Sequence, residues 1–304
     1  MIVQTLTTHP SDSYSLLDSG EGEKLEQFGS VIVARPDPQV LWKKLLPPNE
    51  WEKADIYFFR KGEKSGWQFR KKIPERWELQ FGGLHFWIRP SAFKHVGLFP
   101  EQLPNWEWLK QVISHSARDG SVSGGKSKVI NQPQVLNLFG YTGGATLACV
   151  QAGAAVVHVD GSKVAITLAR ENTALSGLAN KPIRWILDDV TTFVKREIKR
   201  GRRYDGLILD PPAYGHGPKK EIWKIEKDFL PLLDLCAKIL SDEPIFFLMN
   251  GYASGYSEIA YGNALYDIIS KSNIEIGELT IQESSNDGRL LPAGIFARLA
   301  FSKK

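Results

Sequence analysis

The chain predicts an α/β architecture preceded by a smaller, mostly-β region, and three observations carry the prediction. From residue 134 onward, strand-like apolar runs alternate with helical stretches, the pattern of a parallel sheet covered on both faces. Successive runs end on Gly140-Tyr141-Thr142-Gly143-Gly144, on Asp160 and on Asp210-Pro211-Pro212-Ala213-Tyr214. A glycine turn, an acid and a stiffened aromatic loop would then share the edge where open α/β sheets bind nucleotide-like ligands. Seven of the nine tryptophans fall before residue 110, among short runs separated by turns rather than helices. The division is placed near residue 110, giving regions 1–110 and 111–304.

In the first region, strands are expected at Ser30–Arg35, Ile56–Arg60, Trp77–Gln80 and Leu84–Arg89. Residues 114–134 are rich in Ser, Gly and Lys, and the stretch around Arg118–Lys128 reads as an exposed loop. Gly120-Ser121-Val122-Ser123-Gly124-Gly125-Lys126-Ser127 fits the phosphate-loop pattern GxxxxGK[ST]. That motif needs an entering strand and a departing helix; Ser114–Asp119 is no strand and Val129–Pro133 leads into the next one, so the loop reading is preferred.

In the second region, strands are expected at Gln134–Phe139, Ala155–Val159, Ile183–Leu187, Tyr204–Leu209 and Ile245–Met249, then at Glu278–Gln282 and Gly294–Phe301. Helices are expected at Gly143–Gly153, from an N-cap at Ser162 to Leu175, at Asp189–Lys199, at Glu221–Leu240 and near Ala260–Lys271. The last two strands, with no helix between them, suggest a terminal antiparallel hairpin.

The chain is 304 residues long, enough for two domains, and its 42% hydrophobic and 24% charged residues fit a soluble globular protein. No apolar run approaches a membrane span, and Met1–Tyr14 lacks the pattern of a secretory signal. Only Cys149 and Cys236 occur, without CxxC spacing, which fits a reducing, cytoplasmic compartment; no His, Cys or Asp spacing suggests a metal. Net charge is +4, weak evidence for nucleic acid. Two clusters say more. Lys195, Arg196, Lys199, Arg200, Arg202 and Arg203 read as a solvated helix face or a polyanion contact. Lys219, Lys220, Lys224 and Lys227 follow the proline loop, where they either face solvent or touch phosphate.

Gly140, Gly143 and Gly144 allow the backbone to approach a ligand without a Cβ in the way. Asp160 can accept both hydroxyls of a ribose. The turn fails the GxGxxG dinucleotide pattern, so a ligand without phosphate is favoured. Asp188 and Asp189 end the third strand, where they hold an adenine or ribose or cap the next helix. In Asp210-Pro211-Pro212-Ala213-Tyr214 the prolines remove two donors and leave carbonyls to accept from an exocyclic amine, alongside Asp210. Tyr214 can stack on a base. His216 is either a contact to phosphate, a proton shuttle or an exposed loop histidine; His158, inside a strand, is read as structural.

At these residues the chain resembles the class I S-adenosylmethionine-dependent methyltransferases, and within them the group of bacterial large-subunit ribosomal RNA methyltransferases. The segments that carry the resemblance are Asn137-Leu138-Phe139-Gly140-Tyr141-Thr142-Gly143, Asp160-Gly161-Ser162-Lys163, Ala169-Arg170-Glu171-Asn172, Leu209–Tyr214 and Gly97-Leu98-Phe99-Pro100-Glu101-Gln102. The resemblance covers residues 80–301. It implies a Rossmann-like sheet of seven strands, the last antiparallel, with S-adenosylmethionine as cofactor and RNA, ribosomal RNA foremost, as substrate. It assigns the cofactor to Phe99, Glu101, Gln102, Asn137, Phe139, Gly140, Tyr141, Thr142, Gly143, Asp160, Gly161, Ser162, Asp188, Asp189 and Asp210, and the acceptor to Asp210, Pro211, Pro212 and Tyr214. No RNA-binding module of the kind some relatives carry is evident in residues 1–80. Cytosine-C5 methylation commonly uses a thiolate; both cysteines read as core residues, which turns the expectation toward an exocyclic amine or another nucleophilic nitrogen, with a nucleic-acid carbon as the lesser alternative. A protein side chain or small metabolite is the alternative acceptor, and a binding module without turnover the third reading. The oligomeric state is not legible.

Overall fold

The computed structural model describes residues 1–62, 64–91, 94–118, 132–252, 255–269, 273–284 and 288–301. The chain divides into two compact units. One comprises Met1–Thr5, Asn105–Glu278 and the residues from Gly294 onward; the other comprises Leu6–Pro104 and Leu279–Ala293.

In chain order the first elements are β1 (Ile2–Thr8), β2 (Tyr14–Gly20), β3 (Glu23–Phe28), β4 (Val31–Pro36), α1 (Pro48–Trp51), β5 (Ile56–Lys61), β6 (Lys64–Phe69), β7 (Trp77–Phe81) and β8 (Leu84–Ile88). A 3₁₀ turn at Pro100–Gln102 leads into α2 (Leu103–Arg118). Then follow β9 (Gln134–Leu138), α3 (Gly144–Gln151), β10 (Ala155–Asp160), α4 (Lys163–Leu175), β11 (Ile183–Leu187), α5 (Val190–Lys199) and β12 (Gly206–Leu209). The chain ends through β13 (Tyr214–His216), β14 (Ile222–Lys224), α6 (Ile225–Ile239), β15 (Phe246–Gly251), α7 (Glu258–Ile269), β16 (Glu275–Gln282) and β17 (Leu290–Ala300).

The large sheet runs β1-β16-β17-β15-β12-β9-β10-β11. Strands β11, β10, β9, β12 and β15 pair in parallel, and β17 lies antiparallel to β15. These are the expected seven strands, the last antiparallel, with one addition: β1 pairs on the outside of β16. A Cβ at Gly277 would fall 1.6 Å from the Gln4 carbonyl oxygen, so that glycine admits the extra strand. One core face packs Leu136, Leu138, Leu207 and Leu209 of the central strands against Phe193 and Val194 of α5 and Leu232, Leu233 and Cys236 of α6. The parallel strands are apolar throughout because helices cover them.

Two readings change. Residues 103–118 form a 16-residue helix where none was expected, with Trp106, Leu109 and Ile113 buried at helical spacing. The residue-110 boundary falls within that helix. The phosphate-loop-like Gly120–Ser127 lies outside the described residues. The helix expected from Glu221 begins at Ile225, because residues 222–224 pair with 214–216 as a hairpin. Among the described residues no helix is long and apolar enough to cross a membrane.

The other unit is built on the sheet β2-β3-β4-β5-β6, with β7 and β8 as a separate hairpin. Strands β2 and β3 escape a hydrophobic-pattern reading because they bury charge. Glu26 on β3 is fully buried and accepts from the Tyr14 hydroxyl and, through both oxygens, from Arg35 on β4. Lys24 pairs with Asp37 at 3.2 Å and lies 3.8 Å from Glu26. Burial alone would raise the Glu26 carboxyl, but Arg35 and Lys24 bring it down to about 2. An acid lowered on folding adds stability above its unfolded value of 4.5, lost as pH falls toward 2. Arg35→Met removes the main partner and leaves a buried carboxylate uncompensated. Urea unfolding at pH 7 is expected to show a loss of about 3–5 kcal/mol; a loss below about 1 kcal/mol would mean that water reaches Glu26.

Candidate functional site

The site is assembled by sheet register. Asp160 pairs with Leu187, Val159 with Leu138, and Leu138 with Leu209. Asp160, Phe139 and Asp210 therefore stand in a row at the carboxyl edge, one strand spacing apart, and Asp188 lies one residue beyond Leu187, the partner of Asp160. Asp160 and Asp210 are two spacings apart, about 10 Å, a span that fits a nucleoside with a short side arm.

The turn after β9 is strained and strongly held. Phe139 (φ 59) and Tyr141 (φ 47) adopt the left-handed conformation, which is costly for aromatic residues. Asp160 holds this turn and the next together: Oδ2 accepts from the Tyr141 amide at 2.9 Å and Oδ1 from the Ser162 amide at 2.7 Å. Asn172 on α4 donates to the Thr142 carbonyl at 3.0 Å, and the Gly140 amide to Val159 at 3.1 Å. Burial pushes the Asp160 carboxyl up, against the two amides that favour its charge. Each oxygen keeps a lone pair for a further donor such as a ribose hydroxyl.

The glycines have a reason that the sequence did not show. A Cβ at Gly140 would come within 2.4 Å of the His158 ring, one at Gly144 within 2.2 Å of Trp106, and one at Gly143 within 3.0 Å of Leu147. They are small because the protein itself fills the space. Asn137 likewise points inward: it is buried and donates to Thr146, which in turn is joined to His158 Nδ1 at 2.9 Å. Burial lowers His158 to about 3, so the ring is neutral and structural, as expected.

The acids after β11 divide their work. Asp189 caps α5, its Oδ1 accepting from the Thr192 amide at 2.8 Å. Asp188 pairs with Arg196 and accepts from the Asp189 amide at 3.0 Å. Ser162 caps α4 through Ala165, and Gly161 backs onto the hairpin, where a Cβ would meet the His216 carbonyl at 2.9 Å. Phe99, Glu101 and Gln102 lie in the other unit; there Thr8 donates to the Pro100 carbonyl at 2.9 Å, and burial raises the Glu101 carboxyl to about 7.

Asp210 differs from the other acids. It is half-buried and, among the described residues, its carboxyl meets neither a donor nor a cation, so desolvation raises it to about 7. The proline carbonyls are not equally available. Trp223 donates its indole N–H to the Pro212 carbonyl at 2.7 Å, and the Ile225 amide donates to Ala213 at 3.1 Å. Only the Pro211 carbonyl lacks a protein donor among the described residues. The Pro211 carbonyl thus stays open beside Asp210, while that of Pro212 is engaged by Trp223. Trp223 also sets its ring edge-to-face on Phe139, 4.9 Å between centroids, locking the proline loop to the turn. Sequence reasoning missed Trp223 because a helix was expected there. Tyr214 stands 54% exposed beside this loop.

The two basic clusters part company. In the first, Arg196 pairs with Asp188 and Arg200 with Glu197, and the cluster follows α5 toward the start of β12, the opposite edge of the sheet. The second flanks the hairpin at the site. Cys149 and Cys236 are fully buried, and burial pushes both thiols up, out of the nucleophilic range. No group of three His, Cys, Asp or Glu fit for a metal occurs among the described residues.

No protein-family model matches the chain. It is 28% identical over 199 residues to the ribosomal RNA large subunit methyltransferase K of Neisseria meningitidis, covering 64% of this chain and 51% of that protein. It is 37% identical over 89 residues to the ribosomal RNA large subunit methyltransferase I of Aeromonas salmonicida, 29% of this chain and 22% of that one. The chain thus spans about half the length, or less, of these curated relatives. Among solved structures, a SAM-dependent methyltransferase from Agrobacterium tumefaciens superposes with a TM-score of 0.88 at 36% identity, over 98% of this chain and 95% of that one. A SAM-dependent methyltransferase from Streptococcus mutans (17% identity, TM-score 0.67, 94% of this chain and 75% of that one) shares the fold.

The raised Asp210 sets a pH signature. The folded state holds this proton between the unfolded value of 3.8 and about 7, so stability is lost as pH rises through that window. Asp210→Asn removes the charge; at pH 8 it is expected to stabilise the ligand-free protein by about 2–4 kcal/mol, a gain that shrinks to nothing by pH 4. Chemical unfolding at both pH values checks it; no gain at pH 8 would place Asp210 in contact with water, and a gain equal at both pH values would assign the effect to something other than its charge.

Proposed function

We propose that this chain, which belongs to the S-adenosylmethionine-dependent methyltransferases, transfers a methyl group to an exocyclic amine of an RNA base, with ribosomal RNA as the substrate. The observation that carries the reading is the uncompensated Asp210 carboxyl beside the free Pro211 carbonyl, two strands from the ribose-competent Asp160. The names of the curated relatives support RNA as the acceptor. The buried thiols favour nitrogen over a cytosine carbon that needs a thiolate.

The donor set fits the cofactor. Asp160 offers its remaining lone pairs to the ribose hydroxyls, Asp189 its uncapped oxygen to the adenine edge, and no phosphate cradle is needed. Bound there, S-adenosylmethionine would supply an electrophilic methyl on a sulfonium. The chain's own residues do the rest. Asp210 and the Pro211 carbonyl accept the two N–H bonds of the amine, which aims its lone pair along the row of strand ends; orientation of this kind supplies much of the rate. Tyr214 stacks on the base. An amine nitrogen that took up the methyl would carry one surplus N–H proton, and Asp210, already accepting from that amine, is placed to remove it. A carboxyl raised to about 7 suits that transfer at neutral pH. Cofactor contact by Phe99, Glu101 and Gln102 rests on the resemblance alone. A cytoplasmic location is part of the same reading.

Labelled S-adenosylmethionine incubated separately with total RNA and total protein is expected to label the RNA; label confined to protein overturns the acceptor. Asp160→Ala should weaken binding of S-adenosylhomocysteine by about ten- to a hundredfold in calorimetry. Asp210→Ala should keep that affinity within about threefold and abolish transfer. Equal loss of both in a folded Asp210 variant would move that residue into the cofactor site alone.

A further inference from the structure

The hairpin β13–β14 has two unlike faces. On the inner one Gly215 pairs with Trp223, which is buried, bonded to Pro212 and set against Phe139. Strand alternation puts Tyr214, His216, Ile222 and Lys224 on the outer one, as the pairs Tyr214–Lys224 and His216–Ile222. That outer face is open. Tyr214 is 54% exposed and Ile222 59%, and the Tyr214 and His216 rings meet edge-to-face at 5.1 Å. The turn carries exposed Lys219 and Lys220, the latter in the left-handed conformation at φ 67.

The ammonium groups of Lys219, Lys220 and Lys224 are not ion-paired among the described residues. The nearby acids are turned to the backbone: Glu221 accepts from the Lys219 amide and Asp228 from the Lys224 amide, each at 2.8 Å. Rings and an aliphatic side chain bordered by unpaired cations are complementary to one kind of partner, a strand whose bases lie flat and whose phosphates face outward. A paired helix hides its bases, so the partner is unpaired.

We propose that the outer face of β13–β14 binds the unpaired nucleotides flanking the methylated base, with His216 and Ile222 beneath a base and Lys219, Lys220 and Lys224 on phosphates. The proposal rests on the RNA reading above and adds how the substrate is chosen: a looped-out or single-stranded target, held by a rigid hairpin anchored through Trp223 to the acceptor loop.

The test uses a fluorescein-labelled oligouridylate of about twelve nucleotides, its binding followed by anisotropy across a salt series. Two variants of the full chain are compared with the wild type: Lys219→Gln with Lys220→Gln and Lys224→Gln, and His216→Ala with Ile222→Ser. All keep the inner face, and unchanged affinity for S-adenosylhomocysteine verifies their fold. The lysine variant is expected to lower the slope of log Kd against log salt by about two. The His216 and Ile222 variant is expected to raise Kd about tenfold with the slope unchanged. In methyl transfer, both should raise KM for RNA and leave kcat near the wild-type value. If the wild type binds and methylates RNA while both variants match it, the hairpin proposal falls alone. If the wild type binds no oligonucleotide and labels only protein, the proposal falls together with the RNA reading.

Discussion

Everything at the site depends on the Asp160 carboxylate. It is one side chain, yet it fastens the turn after β9 through the Tyr141 amide and the entry to α4 through the Ser162 amide. Without it, two left-handed aromatic residues, Phe139 and Tyr141, would relax toward ordinary backbone. The cost of bringing the acid into a largely apolar edge is offset by two charge-assisted bonds. Removing Asp160 perturbs the geometry of the turn as well as a contact.

Asp210 stands at the other extreme. It has burial without compensation, and that burial alone raises its carboxyl. The rest of the site is over-determined. Asn172 holds Thr142, Trp223 holds Pro212, and neutral His158 fills the space that Gly140 vacates. A rigid frame around one unsatisfied acid is what orientation-driven chemistry requires.

Much of this was legible in the sequence where a residue type has only one cheap use. Strand ends at Asp160 and Asp210, the Ser162 cap and the alternation of strands and helices all follow from local rules, and the structure reproduces them. The glycine turn was located by pattern, but its cause was not: whether a missing Cβ makes room for a ligand or for His158 depends on which strand lies alongside, a long-range fact. Strands β2 and β3 were hidden because Asp18, Lys24 and Glu26 look like surface residues until Arg35 and Arg289 are brought beside them. Strand β1 was hidden because its partner lies more than 260 residues away, as the Gln4–Glu275 bond shows. Strand β14 falls in the stretch expected to open a helix, since Ile222 and Ile225 share helical spacing, and β13 in a stretch expected to be loop; the Gly215–Trp223 pairing decides otherwise.

Trp223 also ties motion together. Its indole bonds to the loop that ends in Tyr214 and rests on the ring of Phe139, so lifting the hairpin breaks a hydrogen bond and a ring contact at once. Each is worth about 0.5–1.5 kcal/mol, enough together to keep hairpin and turn moving as one body. A ligand that stiffens the turn behind Phe139 therefore stiffens the hairpin in front of it. Such a coupling is reciprocal: stiffening on either side of the indole would favour order on the other by the same amount.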